Sequence, residues 1–304
     1  MANSATATPK TPEAQAGKEA AAPKAPGLRP DLATISGIAL AMAGIIGGLI
    51  LEKGSIQDVA QGTAAMIVMG GTFGAVLVTT PMATVVRAFR GLSAVFFDRG
   101  ADTASVIATM IQFATKARKQ GIVSLEADAA TVTDPFLRKS LSLAVDGTDL
   151  TELRKMMEID IALAEHKAEA EAKVWDSAGG YAPTIGIIGA VMGLIQVMKH
   201  LEDIKEVGHG IAVAFVATVY GVGSANIFFL PAATKLRTRM HEASLRKDMI
   251  LEGVIGIVEG LNPTLIRMKL DAYDPKPAVN TAKEAKGARG RTEEGAGEPL
   301  SVRS

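Results

Sequence analysis

YAPTIGIIGAVMGLIQVM, residues Tyr181 to Met198, decides how the rest of the chain is read. It carries no charged side chain and has the length of a membrane span, roughly 20 residues. Pro183 stands near its start, and Gly186, Gly189, Ala190 and Gly193 recur through it. A helix that meets only lipid has no need of so much glycine. Small residues instead let a second helix approach closely, as in the Gly189–Gly193 spacing. The stretch therefore predicts a membrane helix that faces protein or a narrow polar path, and helix–helix packing is the simplest account of its glycines.

Three more charge-free runs flank it. Leu32 to Leu51 lies between Asp31 and Glu52, with Gly44 and Gly48 on one face. Val59 to Val86 is longer than one span needs. Gly70 and Gly74 repeat the small-residue spacing there, and Pro81 marks the expected exit from the hydrocarbon. Val207 to Thr234 carries Thr218, Tyr220, Ser224 and Asn226, with Pro231 near its far end. Arg87, Arg90 and Arg99 follow the second run; Lys235, Arg237, Arg239, Arg246 and Lys247 follow the fourth. Loops rich in Lys and Arg beside a span stay in the cytoplasm. The links Glu52–Asp58 and Lys199–Glu206 are slightly acidic and fall on the other side. Four spans with both termini inside satisfy all of these constraints.

The fold class expected is thus an all-α membrane protein: four transmembrane helices and a large helical cytoplasmic region between the second and third. Its expected segments are a disordered cytoplasmic tail at 1–31, the first two membrane helices at 32–86 and a cytoplasmic helical region at 87–179. The last two membrane helices follow at 180–234, then cytoplasmic helices at 235–273 and a second disordered tail at 274–304. The first tail is rich in Ala, Pro, Lys, Thr and Glu and lacks the apolar side chains that would offset ordering entropy. It does not read as a secretory signal, because the first apolar run starts only after Asp31.

Within 87–179, Val106, Ile107, Met110, Ile111 and Ala114 recur at helical spacing and predict a helix over Thr103–Gln120. Basic residues in its last turn and Gly121 just beyond are expected at a C-terminus. Further helices are expected over Pro135–Val145 and Leu150–Ala178. The last is dense in charge, laced with i,i+4 pairs such as Glu169–Lys173, and runs into the third membrane helix. Met249 to Leu270 reads as an amphipathic helix interrupted at Asn262–Pro263.

Composition agrees. Apolar residues make up 48% and charged residues 21%, but the charges are segregated away from the four runs. The 32 basic and 32 acidic residues cancel, which argues against a nucleic-acid binder. With no cysteine there is no disulfide framework and no thiolate metal site. His166, His200, His209 and His241 show no ligand spacing, no phosphate-binding glycine loop occurs, and no nucleophile–base set is visible. Neither a cofactor, a metal nor an enzymatic activity is expected. The more informative absence lies in the spans, which hold no Asp, Glu, Lys or Arg. Ion-coupled membrane proteins usually carry an intramembrane ionisable group. If this chain helps to conduct ions, a partner chain must bring that group.

Four stretches resemble one known family. APTIGIIGAVMGLI (Ala182–Ile195) resembles the third membrane helix of the MotA family of flagellar stator proteins, and FVATVYGVGSANIFFLPAATKLR (Phe215–Arg237) its fourth helix and exit. ATKARKQGIVSLE (Ala114–Glu126) is similar to the family's cytoplasmic segment, and GLNPTLIRMKL (Gly260–Leu270) to its C-terminal motif. The resemblance covers roughly Leu32 to Tyr273 and leaves the N-terminal tail unexplained.

The resemblance implies a homopentamer in the bacterial inner membrane, around two copies of a single-span MotB-like partner. That partner supplies a membrane aspartate and a peptidoglycan anchor. Ions pass between the two proteins, and the pentamer turns against the rotor protein FliG. The resemblance further implies that Pro183, Ala190, Thr218 and Pro231 flank the ion pathway. It implies that Arg118 and Glu126, with Glu158, face the rotor. Sodium-driven members resemble one another in placing a threonine on the third helix; here that position is Ala190, so proton coupling is expected. The competing expectation is a TolQ- or ExbB-like energiser of an envelope machine; those relatives usually have three spans and an outside N-terminus. A plain scaffold of membrane helices would explain the small residues but not Pro183, Thr218 and Pro231 together.

Overall fold

The computed structural model describes residues 29–98 and 103–273. The disorder expected for 274–304, and for all of 1–31 except its last three residues, lies outside the described residues. Arg99 and its neighbours to 102 lie outside them too.

The described chain is helical apart from one short antiparallel pair, β1 (Arg29–Pro30) with β2 (Phe97–Asp98). The helices are α1 (Leu32–Leu51), α2 (Ile56–Val59), α3 (Gly62–Thr79), α4 (Met82–Gly91), α5 (Ser93–Phe96), α6 (Thr103–Gln120), α7 (Glu126–Thr131), α8 (Pro135–Val145), α9 (Leu150–Lys199), α10 (Ile204–Ser224), α11 (Leu230–Val258) and α12 (Pro263–Asp271). Four helical segments are long and apolar enough to cross a membrane: Leu32–Leu51, Ile56–Thr79, the second part of α9, and the α10 part of the continuous helix Ile204–Val258. The protein is therefore an all-α membrane protein with four spans and a large helical region between the second and third.

Local chemistry sets the helix starts. Asp31 accepts from the Ala33 and Thr34 amides at 3.2 and 3.3 Å and starts α1. Asp134 does the same for α8, with Pro135 in the first turn, where its missing N–H costs nothing. Asp149 caps α9, and Asn262 with Pro263 starts α12 after the break at Gly260, whose φ is +69°.

The structure redraws several sequence expectations. The second apolar run is not one helix. α3 stops at Thr79, Pro81 cannot donate to a continuing ladder, and the chain restarts as the amphipathic α4. The C-terminal amphipathic helix does not begin at Met249 but is the distal end of α11. Nor does Glu169 pair with Lys173: it binds Arg237 of α11 at 3.0 Å, because the two long helices run side by side and offer a bidentate guanidinium partner. α9 does run unbroken from the charged region into the span, about 75 Å at 1.5 Å per residue, with Pro183 in its interior. Pro183 is therefore an interior proline and not a first-turn one.

Packing divides into three clusters. The largest lies in the extramembrane half and joins α6, α8, α9, α11 and α12 through Met110, Leu141, Leu153, Met157, Ile255 and Leu270. A second sits where the spans meet that half. There Trp175 packs edge-on against Phe89 at 4.9 Å and Phe228 at 5.9 Å, and its Nε1 donates to the Ala88 carbonyl at 3.3 Å. The third joins Ala64 and Val68 of α3 to Val213, Val216 and Ala217 of α10. Among the described residues, α1 buries none of its own.

Candidate functional site

The centre of the membrane half is the antiparallel pair α9–α10. Glycines interlock along it. A methyl group placed on Gly186 would stand 2.9 Å from the Ala217 carbonyl oxygen. One on Gly193 would stand 2.8 Å from the Ala214 nitrogen, and one on Gly221 2.5 Å from the Ala182 carbonyl oxygen. These are backbone atoms with no freedom to yield. The small residues of the opening stretch thus serve helix–helix contact first, and their partner is the same chain's own α10. The Gly44–Gly48 and Gly70–Gly74 faces meet nothing among the described residues.

This contact places three of the four sequence-derived pathway residues together. Gly189 packs on Ala217, and Ala190 and Thr218 each come next in sequence. In an antiparallel pair, residues one step beyond a mutual contact fall on the same side. Pro183 is seven residues before Ala190 and so shares its helical stripe. All three are half-buried at the edge of an otherwise apolar face that exposes Ile187, Val191, Phe215 and Val222. The Thr218 hydroxyl donates to the Ala214 carbonyl at 3.3 Å, which leaves its oxygen free to accept. Pro231 is not brought to this stripe. It lies in a groove against α1, with Gly37, Ala41 and Lys235 in the same wall.

Both helices of the pair lose regularity at one level. Pro183 lacks the N–H that would serve the Gly179 carbonyl. Gly179 packs on Leu230, where α10 passes through a π-helical turn, Ala225–Phe229, into α11. Wide turns of this kind are frequent at functional sites. Tyr220 ties α10 to the link between α2 and α3: its hydroxyl donates to the Val59 carbonyl at 2.5 Å and accepts from the Gln61 amide at 3.3 Å.

The second sequence-derived cluster is at the far end of the extramembrane half. Arg118 occupies the last turn of α6 and Glu126 the first of α7, either side of Gly121, whose φ of +82° ends α6. Both are exposed, and neither makes an ion pair among the described residues. The corner that carries them is braced by Lys116–Asp128 at 2.6 Å. Glu158 is elsewhere, on α9, 57% exposed and 3.9 Å from Arg154. Burial pushes the Asp248 carboxyl above its ordinary value, and the Glu165, Glu158 and Glu252 carboxylates push it further. No cluster of His, Asp or Glu among the described residues could hold a metal ion.

Two ionic hubs went unread in the sequence. Asp31, 9% exposed, binds Lys235 at 2.6 Å and Arg239 at 3.1 Å. The Lys235 hydrogen bond, against the opposing cost of burial, holds its pKa down at about 2. Arg237 binds Asp176 at 2.9 Å as well as Glu169, and both raise its pKa. Only the position of Asp31 immediately before an apolar run could have signalled its role as a cap; its cations lie some two hundred residues away.

Comparison with known proteins gives consistent results. A family model described as the MotA/TolQ/ExbB proton channel family matches residues 128–249, and one described as motility protein A N-terminal matches residues 35–121. The chain is 32% identical to Motility protein A of Bacillus subtilis over 266 residues, 87% of this chain and 98% of that protein. It is 35% identical to Motility protein A of Helicobacter pylori, covering 80% of this chain and 95% of that one. Its fold is similar to a solved structure of C. jejuni MotAB, with a TM-score of 0.77 and 32% identity over 82% of this chain and 98% of the other.

Proposed function

Because the chain belongs to the MotA family of flagellar stator proteins, we propose that it is the ring-forming subunit of a stator that turns ion flow into torque. The observation that carries this reading is the α9–α10 face. It presents Thr218, Ala190 and Pro183 on one open side, and the charge-free runs of the four spans, 32–51, 59–79, 181–198 and 207–224, hold no Asp, Glu, Lys or Arg. Such a face is half of an ion path. The other half is a single-span MotB-like helix with a membrane aspartate. A carboxylate set against this apolar wall has a raised pKa and alternates between protonated and ionised forms. Each charge that crosses releases about 2.3 kcal/mol per 100 mV.

The coupling ion is the proton. A dehydrated sodium ion needs several oxygen ligands, and Ala190 offers none opposite Thr218. Rotation then follows from five copies of this chain around two partner helices. Each ion passage shifts the partner relative to one α9–α10 face, and the irregular level at Pro183 and the π turn is where that face can flex. Both termini are cytoplasmic in the bacterial inner membrane. The long α9 and α11 carry the motion to the α6–α7 corner, where Arg118 and Glu126 push on the rotor protein FliG. Glu158 is a secondary contact. Pro231 acts through α1 rather than on the ion. The family is one of stator channels, not of enzymes. The motility names of the relatives and the match of the N-terminal motility model argue against an envelope energiser of the TolQ or ExbB kind.

The test is swimming speed at fixed membrane potential. It should be insensitive to replacing external sodium by potassium and should collapse with a protonophore. Rotation that stops without sodium overturns the proton assignment. Native mass measurement should give five copies to two of the partner, and a reporter fused after Ser304 should read cytoplasmic.

A further inference from the structure

Two hollows meet at one arginine. The first, of about 510 Å³, is an apolar groove along α3 and α4 lined by Phe73, Leu77, Met82, Val85 and Phe89, with Arg90 at its rim. The second, of about 660 Å³, is a charged cleft between α4, α8 and α11, and Arg90 lines it too. The groove flanks the last turns of the span α3, and Arg90 ends the amphipathic helix that follows at once. The pair of hollows therefore straddles the edge of the hydrocarbon.

The cleft holds Arg90, Arg239, Arg246 and Lys247 against Asp134 and Glu242. Both carboxylates are already engaged: Asp134 with Arg246 at 3.0 Å, Glu242 with Arg239 at 3.4 Å. Arg90 and Lys247 have no carboxylate partner among the described residues. Lys247 is held half-buried over the Phe136 ring at 5.7 Å. The Nε of Arg246, buried in the wall, has no hydrogen-bond partner. The cleft thus offers spare cations and a spare donor on the extramembrane side of Arg90, with the apolar groove on its membrane side.

We infer that this is a binding site for one anionic phospholipid, its phosphate among Arg90, Lys247 and Arg246 and an acyl chain along Phe73, Leu77 and Val85. Guanidinium groups suit phosphate oxygens by shape and charge. Basic pockets beside membrane helices hold anionic headgroups in the same way. The bound lipid would fill the seam between the membrane half and α8, which the chain itself leaves open. The site rests on the membrane reading of α3 alone, not on the ion-pathway or rotor assignments.

The experiment is native mass spectrometry of the full-length chain extracted together with its partner, then exchanged into nanodiscs of phosphatidylglycerol or phosphatidylcholine. Phosphatidylglycerol should remain bound to each copy and phosphatidylcholine should not. The double variant Arg90→Gln with Lys247→Gln should lower retention about thirtyfold, from roughly fivefold per cation. Arg90→Lys with Lys247→Arg should keep it, which separates charge from folding. Leu77→Trp, which fills the groove, should also release the lipid. Equal retention of the two lipids, or wild-type retention in the Gln variant, overturns the inference. So does inorganic phosphate binding as tightly as the lipid, which marks a soluble-anion site. Crosslinking of Arg90→Cys to a second copy in place of lipid marks a subunit contact and overturns it as well. Motility is not a readout, so a failure here leaves the stator reading untouched.

Discussion

Around Met157 the chain buries leucine, isoleucine and methionine side chains completely; around Gly189, about nine turns further along the same helix, it interlocks glycine and alanine and leaves large apolar side chains bare. The physical reason is the solvent. In water, burial of Leu153 or Ile255 drives folding at about 25 cal/mol per Å². In lipid that force vanishes, and close backbone approach is what holds helices together. The extramembrane half is thus complete in one chain. The membrane half is not: among the described residues α1 buries nothing, and the Gly44–Gly48 and Gly70–Gly74 faces have no close neighbour.

Substitutions can break this contrast. The largest effect is expected at Gly221→Leu, because a side chain there runs into the Ala182 carbonyl. Strain of about 3 kcal/mol or more should prevent assembly, seen as loss of the complex on size-exclusion chromatography. Gly223→Ala, which meets nothing, should assemble normally. If both assemble, the glycine interlock is not what holds the pair.

Met157→Ala comes next. It should cost about 2–5 kcal/mol of stability by opening a cavity. Thermal unfolding of the extramembrane half should shift while the membrane half stays assembled. Loss of both at one temperature would show that the halves are not separately held.

Asp31→Asn tests the tie between them, since it removes the carboxylate that Lys235 and Arg239 share. About 1.5–3 kcal/mol is expected, the worth of hydrogen bonds to a charged group, read as faster proteolysis near the start of α1. Its pKa lies below its ordinary 3.8, so the contribution is present above pH 3.8 and is lost as pH falls toward 2. Protection that disappears by pH 5 would rule the clamp out.

A smaller change of opposite sign is expected at Asp248→Asn. A carboxyl with a raised folded pKa contributes most below its unfolded value and loses that contribution as pH rises through the folded one. The amide should therefore raise the melting temperature at neutral pH and leave it unchanged in acid. A lower melting temperature at neutral pH would mean that Asp248 has a favourable partner.

The smallest effect on stability is expected at Arg118→Glu or Glu126→Lys, within about 0.5 kcal/mol for exposed sites. Torque should nevertheless fall, with ion flux intact. Unchanged tethered-cell rotation in both variants would remove the rotor contact from this corner.

Much of the architecture was legible because each solvent leaves its own period in the sequence. Charge-free runs marked the spans, apolar spacing marked the Thr103–Gln120 helix, and a helix was expected over roughly Pro135–Val145, where α8 lies. The interruption before Pro263 was readable from proline chemistry alone. Pairings between distant segments were not. Glu169 looks like a partner for Lys173 until α11 comes alongside, and Asp31 looks like a mere boundary until Lys235 arrives. The candidate pathway was half readable. Small residues announced a close contact, but which side of it Pro183, Ala190 and Thr218 share, and that Pro231 stands apart, depends on the register of α9 against α10 and on the π turn. No local pattern encodes either.

The stripe Ala64, Val68, Thr72 and Val76 of α3 is buried against helices made much later. Ala217, its packing neighbour, follows Val76 by roughly 140 residues of further chain, which takes on the order of 10 s at 5–20 residues per second. Through that interval the nascent first hairpin sits in the bilayer with its inner face uncovered. Because that face is built of small side chains and a single hydroxyl, lipid can shelter it at little cost, and the late helices displace lipid rather than rescue an exposed core. The order of synthesis is thus accommodated by side-chain size, and enlarging this stripe should burden insertion and quality control before it burdens the finished motor.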